Sequence, residues 1–199
     1  EDLASDGVEV LTPNVRMSGG AMWNVLAVVG AALREHQDEE KAVELLSKIL
    51  RNVKIMDRAG RDSVLTFERG VGDAVITYEN EILVGQAAGK KYEYVIPRST
   101  VLIENPVAVV DAYAKRHGLL EEAREFVDFL YTEDAQRAFG EHGLRPVVPE
   151  VAASFGDRFP PVEDLFIVKD LGGWDAVRER VFADGGIYDR ALAASRRKP

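Results

Sequence analysis

The chain has 199 residues, 46% of them hydrophobic and 30% charged, the proportions of an ordinary globular protein. Its net charge of −9 argues against a basic groove for nucleic acid and against adhesion to an anionic membrane. There is no cysteine, so disulfides, thiol catalysis and cysteine-ligated metals are excluded. The longest apolar run, Val25 to Leu33, is broken by Gly30 and is about half the length a membrane-spanning helix needs.

The elements alternate in a way that predicts an α/β fold. Val8 to Leu11 reads as a short strand. Ser18-Gly19-Gly20 then leads into a helix over about Ala21 to Arg34, apolar on nearly every face and so expected to be buried. Asp38 is placed to cap a second helix through Asn52, with Ala42, Val43, Leu45, Leu46, Ile49 and Leu50 at helical spacing. Val53 to Met56 is the next strand, followed by the polar turn Asp57 to Asp62 and a short helix from about Ser63 to Gly70. Ala74 to Tyr78 reads as a strand, and one or two helical turns follow it. Further strands are expected at Tyr92 to Ile96, Val101 to Ile103 and Val107 to Val110. Beyond them the chain is helix-rich: Leu119 to Tyr131, a Thr132-capped helix to Gly140, a proline-punctuated segment to Pro161, and a helical stretch near Trp174. A Gly185-Gly186 turn precedes the tail, and the basic end from Ser195 to Pro199 is expected to be mobile. The shift in composition suggests two parts, 1–97 and 98–199, with a crossing near Pro97 to Pro106.

Three places could carry chemistry. The first is Ser18-Gly19-Gly20 at a helix start. The first N–H groups of a helix are unpaired and the peptide dipoles point their positive end there, so such a start can hold an anion without a charged side chain. Glycines let an anion approach the backbone closely, and the Ser18 hydroxyl can cap or donate. The second is the turn from Asp57 to Ser63, which offers N–H groups near Ala59, Gly60 and Arg61 with Arg58 beside them. The third is Tyr78-Glu79-Asn80-Glu81 at a strand end, where ligands of open α/β sheets gather. Each also reads, taken singly, as an ordinary helix start, a solvated loop or a packed tyrosine. No catalytic set stands out: His36, His117 and His142 lack the helical spacing of a metal pair, and neither a nucleophile elbow nor a phosphate loop occurs.

An ordered series of segments resembles the sulfate-binding proteins of ABC importers, within the type 2 periplasmic binding fold. The series is TPNVRMSGGAMWN (12–24), MDRAGRDSVLTFERGVGDAVITYENEI (56–82), YVIPRSTVLIENPVAVVD (94–111), FLYTEDAQ (129–136), LRP (144–146) and GGWDAVRERVFADGGIYD (172–189). The resemblance implies a two-lobed receptor that holds a desolvated dianion through neutral donors and hands it to a permease, with no chemistry on the ligand and no cofactor. It implies ligand donors at Ser18, Gly19 and Gly20, at Gly60 or its neighbour Ala59, and at Tyr78. Tyr78 stands where the family usually carries a tryptophan. An indole N–H only donates, whereas a phenol also accepts, so rejection of hydrogen phosphate is less assured here.

The resemblance also implies that the chain is the second lobe plus the return into the first, with the N-terminal part of the first lobe missing. The opening Glu1-Asp2-Leu3, without methionine or leader, fits a piece of a longer protein acting at the periplasmic or extracellular face of the membrane. Such a piece is expected to expose apolar surface, and to be completed by the missing lobe or a homodimer. Three other readings stand beside it: a ligand-free scaffold, a LysR-type effector domain, and an enzyme using Glu79 and Glu81 as acid and base.

Overall fold

The computed structural model describes residues 1–197; Lys198 and Pro199, the end of the expected tail, lie outside the described residues. The chain divides into two units, one made of Glu1–Thr77, Ile96–Ile103 and Val162 onward, the other of Tyr78–Val95 and Glu104–Pro161.

In the first unit, strand β1 (Val10–Pro13) is buried at all four residues, as a strand covered on both faces should be. Helix α1 (Gly19–His36) follows it, then α2 (Glu39–Asn52), β2 (Val53–Asp57), α3 (Gly60–Glu68) and β3 (Ala74–Val75). The three strands form a parallel sheet in the order β2-β1-β3, with Val10 opposite both Val53 and Ala74, and Pro13 opposite Asp57. A parallel sheet puts all strand carboxyl ends on one side, so α1 and α3 both start from the same edge.

The expected capping residue performs that role: the Asp38 carboxylate accepts from Glu40 N–H at 2.8 Å. Ala42, Val43, Leu46, Ile49 and Leu50 of α2 are buried as the spacing requires. Two helix starts differ from expectation. Helix α1 begins at Gly19 rather than Ala21, and α3 at Gly60 rather than Ser63. Glycine is tolerated in a first turn because its N–H has no helical partner to lose.

The rest of the first unit comes from distant segments. Strands β4 (Ser99–Val101) and β5 (Asp164–Phe166) pair in parallel. Helix α9 (Gly173–Val177) brings Trp174 edge-on to Trp23 of α1, with ring centroids 5.0 Å apart. Helix α10 (Ile187–Ser195), read from sequence as a turn and tail, buries Ile187, Tyr188 and Ala191. They join Val25, Leu26 and Val29 of α1 and Ala42 and Leu46 of α2 in one core. Each large apolar side chain so buried contributes about 1.5–3 kcal/mol, enough to override weak local signals. The C-terminal segment therefore belongs with residues 1–77, and the units are not consecutive halves meeting at residue 97.

The second unit is helical among its described residues: α4 (Glu79–Ala87), α5 (Asp111–His117), α6 (Leu120–Phe129), α7 (Glu133–Glu141) and α8 (Pro149–Ala153). Thr132 caps α7, its Oγ1 accepting from Ala135 N–H at 3.3 Å. Arg145 fixes the start of α4 through a two-pronged contact with Glu79, at 2.7 and 2.8 Å. The strands expected at 92–96 and 107–110 do not form; Val95 is exposed, and among the described residues neither segment pairs with a strand. Exposed apolar side chains occur on both units, Met17 and Trp174 among them on the first, and are most numerous on the second. Helices α5 and α6 bury no residue, and Tyr113, Phe126, Phe129 and Tyr131 are each more than half exposed. Among the described residues, no helix is long and apolar enough to cross a membrane.

Candidate functional site

The edge where α1 and α3 begin is held together by backbone bonds. Asn14, just past β1, donates its N–H to the carbonyl of Asp57, the last residue of β2, at 2.8 Å. The Asn14 side chain accepts from Arg16 N–H at 2.8 Å, a local turn that shapes the segment leading to α1. The Asn14 carbonyl accepts from Ser18 N–H at 2.9 Å and from Met17 N–H at 3.0 Å. Ser18 is thereby placed at the N-cap of α1 in extended conformation.

Ser18 does not cap with its side chain: only its carbonyl takes part, accepting from Ala21 N–H at 3.2 Å. Among the described residues, nothing hydrogen-bonds to the Ser18 hydroxyl or to the N–H groups of Gly19 and Gly20. Ala59 is the N-cap of α3, and its carbonyl accepts from Asp62 and Ser63. The Gly60 N–H is likewise without a protein partner among the described residues.

Two observations distinguish Gly19 and Gly60 from glycines needed by the fold. Neither has a positive φ, so neither is required by the backbone path. A β-carbon built on either would meet no atom within 4 Å. Neither glycine is therefore required by side-chain packing around it. The first turn of α1 carries no acidic residue, whereas the first turn of α3 carries the exposed Asp62. Eighteen aligned residues in α1 give its start the stronger positive potential.

The site is supported from behind by residues that sequence reasoning passed over. Asn24, buried on α1, donates to Thr12 Oγ1 at 3.0 Å and to the Ile76 carbonyl at 3.2 Å. It pins the first turns of α1 to β1 and to the chain leaving β3. Thr66 of α3 donates to Asp57 Oδ1 at 3.1 Å and so ties α3 to the end of β2. The other oxygen of Asp57 and the Ser63 hydroxyl are buried without a protein partner. The one available signal was a lone asparagine in an otherwise apolar helix.

The sequence-predicted residues thus fall in two groups. Ser18, Gly19, Gly20, Ala59 and Gly60 stand at one sheet edge of the first unit, on β1→α1 and β2→α3. Tyr78 begins the second unit, directly after Thr77 in the chain, as the N-cap of α4. It is half-buried, and burial raises its phenol above the usual range, so the hydroxyl keeps its proton at neutral pH. Glu79, considered as an acid or base, is held by Arg145 in an ion pair and serves structure. His36, His117 and His142 are exposed, and no group of metal-ligating side chains occurs among the described residues.

Comparison with known proteins adds the following. The model of the family described as bacterial extracellular solute-binding protein matches residues 1–145. A sulfate-binding protein of Synechococcus elongatus is 39% identical over 194 residues, covering 97% of this chain and 55% of that protein. The sulfate-binding protein of Escherichia coli is 38% identical over 193 residues, covering 95% and 59%. A thiosulfate-binding protein of Pseudomonas aeruginosa is 35% identical over 192 residues, covering 95% and 58%. Among solved structures, the sulfate-binding protein of Mycobacterium tuberculosis superposes with a TM-score of 0.82 at 37% identity, over 91% of this chain and 62% of that one. The chain spans a little over half the length of these curated relatives.

Proposed function

The chain belongs to the family of bacterial extracellular solute-binding proteins, and from that premise we propose that it binds sulfate, or a close tetrahedral oxyanion, for delivery to the permease of an ABC importer. The observation that carries this reading is the pair of glycine-led helix starts at one sheet edge. Among the described residues, the N–H groups of Gly19 and Gly60 have no protein partner, and no neighbouring side chain requires a glycine at either position.

The chemistry fits an anion that carries no proton. Gly19, Gly20 and Gly60 supply backbone donors, Ser18 a hydroxyl, and Ala59 the backbone that presents Gly60. Backbone donors and helix dipoles hold a dianion without a neutralising cation, so the −9 net charge is no obstacle. Tyr78 is proposed as a further donor on the family resemblance alone. The ligand is released unchanged, so no nucleophile or metal is required. The protein works outside the cytoplasmic membrane, in keeping with its family.

The relatives named for sulfate and for thiosulfate are similarly close, which leaves both as candidate cargoes. Calorimetric titration of the chain with sulfate, thiosulfate, molybdate and phosphate at low salt tests the proposal. Micromolar or tighter binding of sulfate or thiosulfate, abolished by Gly19→Asp, supports it. A folded chain that gives no heat with any of the four overturns it for this chain and leaves a scaffold.

A further inference from the structure

A second feature of the first unit points to a different ligand. A cleft of about 460 Å³ lies among the β1–α1 segment, the end of α2, β2 and α10. Its volume is that of a small-molecule site. Three arginines line it, Arg16, Arg51 and Arg196, together with Tyr188 and the apolar Leu50 and Met56. Among the described residues, no carboxylate lines it, in a chain whose acidic residues outnumber its basic ones by 34 to 25.

The arginines are not equally engaged. Arg16 contacts Asp189 at 3.1 Å from the edge of the cleft. Among the described residues, Arg51 and Arg196 make no ion pair. This contrasts with Arg180 and Arg190 nearby, which are both paired with Glu39, Arg190 also with Glu40. Burial raises the proton affinity of the Tyr188 phenol, and the nearby charges act on it in both directions, Arg16 and Arg196 downward and Asp189 upward. Three guanidinium groups around one cleft repel one another, and an anion between them relieves that repulsion.

The chemistry also sets the kind of anion. Leu50 and Tyr188 are less than a tenth exposed and form a greasy floor, which a bare inorganic ion would not use. Guanidinium groups match the planar carboxylate in a two-pronged geometry. We propose that this cleft, whose lining includes none of Ser18, Gly19, Gly20, Ala59 and Gly60, is a second binding site, for a small organic polycarboxylate. Its carbon body rests on Leu50 and Met56, and its carboxylates meet Arg16, Arg51 and Arg196. Ser195 and Asn14, on the rim, add a hydroxyl and an amide for the remaining oxygens. This inference does not rest on the oxyanion reading of the helix starts.

The test uses benzene-1,3,5-tricarboxylate, a flat apolar ring with three carboxylates, titrated into the full chain at low salt. Three proteins are compared: the native chain, the R51Q/R196Q double variant and the Gly19→Asp variant, each checked for native circular dichroism and melting. Binding by the native chain, about tenfold or more weaker in R51Q/R196Q and retained in Gly19→Asp, supports the cleft. No binding by the native chain, equal binding by R51Q/R196Q, or loss in Gly19→Asp overturns it. The last outcome would place the polycarboxylate at the helix starts. Failure of sulfate to bind in a parallel titration bears only on the first site.

Discussion

The ring of Phe166 lies against the backbone of α1 at Gly30, so closely that a β-carbon on Gly30 would stand 2.3 Å from Phe166 Cζ. Phe166 is fully buried in β5, and the same β-carbon would also stand 3.3 Å from Leu171 Cδ1, so two core side chains would have to give way. Gly30→Ala would gain about 1 kcal/mol of helix propensity but forces overpacking that costs about 1–3 kcal/mol or more. At 2.3 Å the clash wins. The expected outcome is a lower urea midpoint for Gly30→Ala, with the circular dichroism of the native fold retained.

Gly19 makes the opposite case. A β-carbon there meets nothing within 4 Å and φ is not positive. Gly19→Ala should therefore raise stability by about 0.4–1 kcal/mol by restricting the unfolded chain. The same methyl group adds bulk beside the helix start and should weaken oxyanion binding. Stability up and affinity down, read by denaturation and calorimetry on one sample, is the expected pair. Unchanged affinity would remove Gly19 from the ligand site.

Asn24 serves two acceptors from within α1, Thr12 Oγ1 and the Ile76 carbonyl. Asn24→Ala leaves the Ile76 carbonyl without its donor and opens a small void. A loss of about 1–3 kcal/mol is expected in urea unfolding. Because Asn24 holds the first turns of α1 in place, oxyanion affinity should fall as well.

Tyr78 both donates and accepts through a hydroxyl that burial keeps protonated. Tyr78→Trp substitutes a group that only donates. An acceptor suits the proton of hydrogen phosphate, which sulfate lacks. The sulfate-to-phosphate affinity ratio should rise, by about tenfold, in competition calorimetry at neutral pH. An unchanged ratio would mean that Tyr78 does not touch the ligand.

Asp164 supplies a pH dependence. Arg34 contacts both its oxygens, at 2.6 to 3.2 Å, and Ser99 donates to it at 2.6 Å. The Arg34 bonds first, and the Ser99 bond next, lower its carboxyl from 3.8 to about 2. The folded value lies below the unfolded one, so the stabilisation is complete above about 3.8 and is lost as pH falls toward about 2. Urea midpoints of the native chain and of Asp164→Asn should differ at pH 5 and converge as the pH drops through that window. A constant difference would show that the contact does not couple to folding.

Much of the first unit could be read from local chemistry. Asp38 and Thr132 announce helix starts because a cap needs only the next two or three residues. The glycines at 19, 20 and 60 stand out because a glycine-led helix start requires no distant residue to be recognised. The starts of α1 and α3 were misplaced by two and three residues, since glycine in a first turn leaves no apolar signal. Strands expected at 92–96 and 107–110 failed for the converse reason. Their β-branched residues favour extended backbone, yet a strand exists only when another edge accepts its hydrogen bonds.

By itself the sequence determined the alternation of strand and helix, the capped helix starts, the candidate donors from Ser18 to Gly60 and the family resemblance. Each of these depends on side chains within a turn or two of one another, or on a series of short motifs in order. Only the tertiary structure decided that β1 and β2 lie side by side, so that two helix starts share an edge. It alone placed α10 against α2, Asn24 beneath Ile76, Arg145 on Glu79, and three arginines around one cleft. These pairings join residues 35 or more positions apart along the chain. They are selected by burial of matching apolar faces and by satisfaction of buried polar groups, which no local pattern along the chain encodes.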